Sequence, residues 1–308
     1  MSTDPSNDPL NPDFLRKLEY LQVIARKVHT GRFSALQRSK KLGRGIDFAD
    51  HRPYTPGDDF KDIDWNLYGR LDRFMVRLAE EETELNLHLL VDCSGSMNAP
   101  FQRGPSGALD PHVRKAMHAR KIAAALAYIA LAHLDRVHVY PFGAGLLRPF
   151  SPTRHKAQAV QVYRHLEQAG SDGPTNIEAA CKGFAGVVRA KGIVLVVSDF
   201  LAPGGWTRGL DLLRHGRFEV GLLQISAPEE AEAPSRGEVV LEDRETGALR
   251  RVRVTDRIAA DYRAAFLAHG QALQDYARAH NLFYAHGRTD QPFEQMVLRT
   301  MRAERLLA

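Results

Sequence analysis

The sequence predicts an α/β fold, a mostly parallel sheet with helices on both faces, and three observations predict it. From Leu85 onward, short apolar runs alternate with longer helical stretches, the order expected when each parallel strand returns through a crossover helix. Those runs are apolar for most of their length, as strands of a parallel sheet covered on both faces are. The chain's 308 residues are 44% hydrophobic and 26% charged, enough to bury a large core and unlike a mainly disordered or polytopic membrane chain.

Residues 1–11 form a polar, acidic tail without the basic and apolar regions of an export signal. Asn11-Pro12-Asp13 then supplies a cap, a first-turn proline and an acid for the helix dipole. Phe14, Leu18, Leu21, Ala25 and Val28 follow at helical spacing, so a helix is predicted from Pro12 to about His29. From Gly31 to Arg70 the pattern dissolves into glycine, proline and charge, read as irregular or short-stranded. The sheet strands are Leu85–Val91, Val137–Phe142, Gly192–Val197 and Phe218–Ile225, with Leu282–Ala285 as the last edge. Helices fit between them at His112–Leu134, His155–Gln168, Asn176–Ala190, Thr207–Arg214 and Asp256–His280. One segment breaks the alternation: Glu238–Leu241 and Leu249–Val254 flank Glu245-Thr246-Gly247, which reads as an inserted antiparallel hairpin. The chain thus divides into a tail over 1–11, a helix and irregular N-terminal extension over 12–84, and an α/β domain with a C-terminal helix over 85–308.

Composition narrows the function classes. The net charge is +5, but 42 basic and 37 acidic residues are interleaved, which gives a weak field and no expected nucleic-acid partner. Two cysteines, Cys93 and Cys181, leave no room for a disulfide framework and fit a reducing compartment. The longest apolar run, Ile122–Ala132, is far short of the roughly 20 residues that span a bilayer. The expectation is a cytoplasmic protein with no membrane span.

In open α/β sheets ligands bind beyond the carboxyl ends of the strands, and two of these ends carry carboxylates. The first strand runs into Asp92-Cys93-Ser94-Gly95-Ser96, and a later one ends in Val197-Ser198-Asp199. Between them in sequence, Thr175 opens a helix. Two carboxylates and three hydroxyls suit a hard divalent cation such as Mg²⁺ or Mn²⁺, which takes oxygen ligands and keeps waters. Ser94, Ser96 and Thr175 are expected as direct ligands, with Asp92 and Asp199 bound directly or through water. Hydroxyls are poor ligands, so weak binding is expected, with one position left for an acidic group of a partner.

Asp92-x-Ser94-x-Ser96, then Thr175, then Asp199, resembles the metal-ion-dependent adhesion site of the von Willebrand factor A fold over about Leu85 to Gly287. A second resemblance lies in Gly43–Phe48, Arg52–Asp59 and Ile63–Asn66, which are similar to the signature of the bacterial "domain of unknown function 58" family. The Glu245-Thr246-Gly247 hairpin also looks like that family. Its members are similar to von Willebrand A domains and are often encoded beside MoxR-type AAA+ ATPases. The resemblance therefore implies a protein-binding adaptor, working with such an ATPase or its client in chaperone-like assembly or maturation of other proteins.

An enzyme reading fits the residues less well. A nucleophile elbow needs glycine two residues before the serine, where this chain has Asp92. No Gly-x4-Gly-Lys-Ser/Thr loop is present. A Mg²⁺-dependent phosphohydrolase using Asp92 is the remaining enzymatic alternative, and no catalytic residue is expected otherwise. Cys93 reads as a packed small side chain. In the Gly43–Asn66 segment, Arg44, Arg52 and Arg70 are expected to pair with Asp47, Asp58, Asp59 and Asp64, while Tyr54 and Trp65 anchor it on a core.

Overall fold

In the computed structural model, residues 12–24, 42–43, 47–56, 58–80, 86–98, 115–133, 135–151, 155–170, 173–216, 218–233 and 236–302 are described. The first element is a helix, α1 (residues 12–24). Phe14, Leu18 and Leu21 are its buried stripe, the one the helical spacing predicts; Asn11 and residues 25–29 lie outside the described residues. These residues divide into two compact units, one built from 12–24 together with 86–302 and one from 42–80.

The smaller unit holds β1 (Leu42–Gly43), β2 (Asp47–Pro53), α2 (Trp65–Leu71) and β3 (Met75–Glu80). The strands form an antiparallel sheet in the order β1-β3-β2. Neither α2 nor β3 was expected from the residue pattern. The helix is only seven residues long and buries none of them, so it has no apolar stripe to read; Asp64 starts it by accepting from the backbone N–H groups of Asn66 and Leu67. Arg52 pairs with Asp58 as expected, through two bonds of 2.7 and 2.6 Å, and holds the Asp58 carboxyl down at about 2. Asp64 accepts a contact from His51 at 2.8 Å. Trp65 is 58% exposed and leans on the rings of Tyr68 and Phe74, which corrects the expectation that it anchors on a core. Arg44 lies outside the described residues.

The larger unit is a five-stranded parallel sheet with helices packed on it. In chain order it contains β4 (Asn86–Asp92), α3 (Gly95–Asn98), α4 (Lys115–Ala132), β5 (Arg136–Phe142), α5 (Ala159–Gln168), α6 (Ile177–Val187), β6 (Ile193–Ser198), α7 (Thr207–His215) and β7 (Glu219–Ser226). The hairpin strands β8 (Gly237–Glu242) and β9 (Leu249–Val254), then α8 (Asp256–Ala279), β10 (Phe283–Arg288) and α9 (Phe293–Arg302), complete it. Each sheet strand read from the sequence is found within one residue at its start. The strands pair in the order β10-β7-β6-β4-β5, all parallel, while β8 and β9 form their own antiparallel pair.

Two groups of helices bury the sheet. Leu90, Val194, Val196 and Leu222 share a core with Phe184 of α6, Leu210 and Leu213 of α7, and Leu273 and Ala277 of α8. α4 lies on β4, β5, β6 and β7 and against α5 and α9, and its residues from Ile122 to Leu131 are all buried. Phe14 of α1 reaches the rings of Tyr163 on α5 and Phe293 on α9. The strand order has one consequence for function. β4 pairs with both β5 and β6, so successive connections leave it in opposite directions, and the crevice between the carboxyl ends of β4 and β6 is the topological switch point at which such sheets bind ligands.

Candidate functional site

Asp92 is the last residue of β4, and Ser198 closes β6 beside it with Asp199 one residue beyond, since Val91 is paired with Val197. Neighbouring strands lie about 4.8 Å apart, so the register alone brings these side chains to one place at the switch point. Asp92 is buried. Its Oδ1 accepts the Ser94 N–H at 3.0 Å and its Oδ2 accepts the Ser198 hydroxyl at 2.6 Å. Burial, and then the negative charge of Asp199, push the Asp92 carboxyl up to about 7. A cation beside it would reverse that cost.

Ser94 follows on the turn into α3 and Ser96 lies within α3, with their hydroxyl oxygens 3.2 Å apart. The Gly95 N–H donates to the Gly173 carbonyl at 3.0 Å, tying this turn to the loop that carries Thr175. In that loop Asn176 caps α6 by accepting the Ala179 N–H, which fixes the backbone one residue beyond Thr175. The Cys93 thiol between the site residues is buried and pushed up to about 12 by that burial, so it stays protonated.

Asp199 is also buried, and the residue after it carries strain. Phe200 has φ +61°, a region that costs a bulky side chain on the order of 1–3 kcal/mol, and its N–H is taken by the Ser198 hydroxyl at 2.9 Å. The loop is thereby turned so that the Leu201 N–H binds Asp199 Oδ1 at 2.9 Å. Asp199 Oδ2 accepts from the Lys115 Nζ at 2.5 Å, and Lys115 also donates to Glu230 Oε1 at 2.5 Å. Burial alone would lower the Lys115 pKa, but the charges of Asp199 and Glu230 outweigh it and raise it. The ammonium therefore stays charged and offsets one of these carboxylates.

Oxygen donors of these kinds are what a hard cation takes. Each carboxylate oxygen engaged by one N–H or O–H keeps a second lone pair, and the hydroxyls of Ser94, Ser96 and Thr175 can accept as well as donate. Among the described residues no group of three His, Cys, Asp or Glu side chains is placed to hold a metal, so a cation here would depend on the hydroxyls. Asp92, Ser94, Ser96, Thr175 and Asp199 are the residues that would hold it.

Four residues of this region are not read as site residues from the sequence: Lys115, Ser198, Glu230 and Glu245. Glu230 follows β7, and the strand-end rule that selected Asp92 and Asp199 would have found it. Lys115 had a weaker signal, a lysine at the start of an apolar helix. Glu245, at the hairpin turn, accepts the Thr175 hydroxyl at 2.8 Å through Oε1 and the Thr175 N–H at 3.1 Å through Oε2; nothing local marks a contact across seventy positions.

Residues 50–272 match the family described as "Protein of unknown function DUF58". The chain belongs to this family. This DUF58 chain is 26% identical over 235 residues to the uncharacterized protein Rv1480 of Mycobacterium tuberculosis, covering 74% of itself and 69% of that protein. The same figures hold for the uncharacterized protein Mb1516 of Mycobacterium bovis. Among solved structures, the DUF58 chain is similar to the conserved hypothetical protein BatB from Bacteroides thetaiotaomicron, at 16% identity and a TM-score of 0.45, over 73% of this chain and 100% of that one. It is also similar to an aerotolerance-related membrane protein from Bacteroides fragilis, at 13% identity and a TM-score of 0.42, over 72% and 98% of the two chains. Among the described residues of this DUF58 member, no helix is long and apolar enough to cross a membrane.

Proposed function

We propose that the chain is a cation-dependent protein-binding module of the von Willebrand A kind, whose partner offers a glutamate or aspartate to a Mg²⁺ or Mn²⁺ ion. The observation that carries this reading is the convergence of Asp92 and Asp199 at the switch point of the sheet, with Ser94 and Ser96 following closely on Asp92. The ion would supply a positive charge against which a partner carboxylate can be bound. The rest falls to the chain. The Ser94 N–H and the Ser198 hydroxyl hold the Asp92 carboxylate in one orientation, and Lys115 with the Leu201 N–H holds Asp199. Because three of the five donors are hydroxyls, the free protein binds the ion weakly and the partner's carboxylate strengthens the assembly.

By the family resemblance of the Gly43–Asn66 segment, the leading partner is a MoxR-type AAA+ ATPase or its client, with this chain as adaptor in chaperone-like assembly or maturation. Copurification tests the reading. Recovery of the ATPase or client from cells on the tagged chain is expected to fall with EDTA and with Asp92→Ala or Asp199→Ala, while calorimetry shows weak Mg²⁺ binding lost in Asp92→Ala. Capture that is indifferent to all three would overturn it. Phosphatase turnover by the isolated protein, lost in Asp92→Ala, would instead favour the Mg²⁺-dependent phosphohydrolase.

A further inference from the structure

From Val240 to Arg251 every residue of the hairpin is exposed except Glu245, which is half-buried. The turn is built to present that side chain. The Asp243 carboxylate accepts the N–H groups of Glu245 and Thr246, at 2.9 and 3.3 Å. Gly247 takes φ +71°, a conformation that favours glycine, and its N–H closes the turn on the Asp243 carbonyl at 2.7 Å. The Glu245 carboxylate then spends one oxygen on the Thr175 hydroxyl and the other on the Thr175 N–H. Thr175 is buried, so an otherwise exposed hairpin reaches a buried hydroxyl of the candidate site with a carboxylate, the chemical group the partner is proposed to offer.

We propose that Glu245 is an internal carboxylate ligand, holding the position at Thr175 that a partner's glutamate or aspartate takes, so that binding requires the hairpin tip to be displaced. This rests on the reading above for the identity of the competitor; the Glu245 to Thr175 contact does not. A tethered carboxylate acts at an effective concentration in the millimolar range or above, which sets a threshold that a weak carboxylate in solution does not cross and a well-placed partner side chain does. The hairpin suits displacement: along β8 and β9 only Val254 is buried, and sparsely buried segments open at low free-energy cost.

The test uses the full chain, isotopically labelled, with acetate as the probe and the Thr175 amide resonance as the readout, at constant ionic strength and with or without Mg²⁺. In the wild type the resonance is expected to respond weakly to acetate. In Glu245→Ala it moves at once to a new position, and acetate then shifts it with an apparent Kd lower by about tenfold or more. Glu245→Gln, which preserves the size of the side chain, is expected to behave in the same direction. Equal acetate responses in the wild type and both variants, or a Thr175 amide unmoved by either substitution, would overturn the proposal. The two readings separate in the same experiment. A Thr175 or Ser94 amide that ignores Mg²⁺ while the acetate difference persists would remove the cation and leave the internal ligand. A Mg²⁺ response lost in Asp92→Ala with no acetate difference would do the reverse.

Discussion

Lys115 is fully buried between Asp199 and Glu230, and at such a position deletion and replacement have very different energies. Removing one member of a buried charge network leaves its partners unpaired, at a cost of about 3–5 kcal/mol. Lys115→Met is therefore expected to lower the unfolding free energy by that order, read as a lower denaturant midpoint at unchanged slope, and adding Glu230→Gln should recover part of the loss. Equal stability of Lys115→Met and wild type would show that the ammonium is not the counter-charge for this pair. His88 gives the residue-scale pH dependence. Its ring is buried against His138, Tyr140, Phe184 and Phe218, its Nδ1 has no hydrogen-bond partner among the described residues, and burial, then the charge of His138, pull it down to about 4. The unfolded chain binds the proton more readily between that value and about 6.5, so stability is full above pH 6.5 and is lost as the pH falls toward 4. His88→Phe is expected to flatten this acid limb by on the order of 2 kcal/mol, seen as urea midpoints measured across that window. An acid limb that keeps its full depth in the variant would place the proton uptake elsewhere.

At the scale of elements, what the sequence made legible follows from what each element must bury. β4, β6 and β7 are covered on both faces and so read as largely apolar runs, and α8 announces its start through Thr255, whose hydroxyl accepts the Ile258 N–H at 3.3 Å. Thr255→Ala is expected to cost about 1 kcal/mol, read from the same denaturation curves. α2 could not be read, because a short helix with no buried side chain leaves no period in the sequence. Asp92, Ser94, Ser96, Thr175 and Asp199 were legible as residues at element ends. The order of the strands, which makes the gap between β4 and β6 the switch point, was not, since it depends on pairings between segments a hundred residues apart. The packing of α6 on α7 was equally hidden. A Cβ on Gly209 would lie 2.9 Å from the Ile177 carbonyl oxygen and 3.2 Å from the Cys181 Sγ, closer than real contacts allow on the backbone side. Gly209→Ala should thus destabilise by roughly 1–3 kcal/mol, despite alanine's better helix propensity; a stabilised variant would mean that these helices can separate freely.

For the sheet unit as a whole, the central strands and the hairpin sit at opposite ends of the stability range. β4, β6 and β7 each have a neighbour on both sides and nearly continuous burial, so their amides open only with global unfolding. The hairpin is a separate two-stranded sheet with an exposed surface, and two strands alone are marginal in water. Native-state hydrogen exchange is therefore expected to rank the amides of β4, β6 and β7 slowest, with α6 and α7 close behind, and those of β8 and β9 fast in spite of their ladder of hydrogen bonds. This ranking matters for the site, because its rigid half, Asp92 and Asp199, hangs from the slowest strands while Glu245 hangs from the fastest element. A divalent cation bound at the switch point should slow exchange at the Ser94, Gly95 and Thr175 amides and leave β8 and β9 fast. Hairpin amides protected as strongly as those of β6 would mean that the tip is locked to the sheet by more than one carboxylate, and the displacement of Glu245 would no longer be a low-cost step.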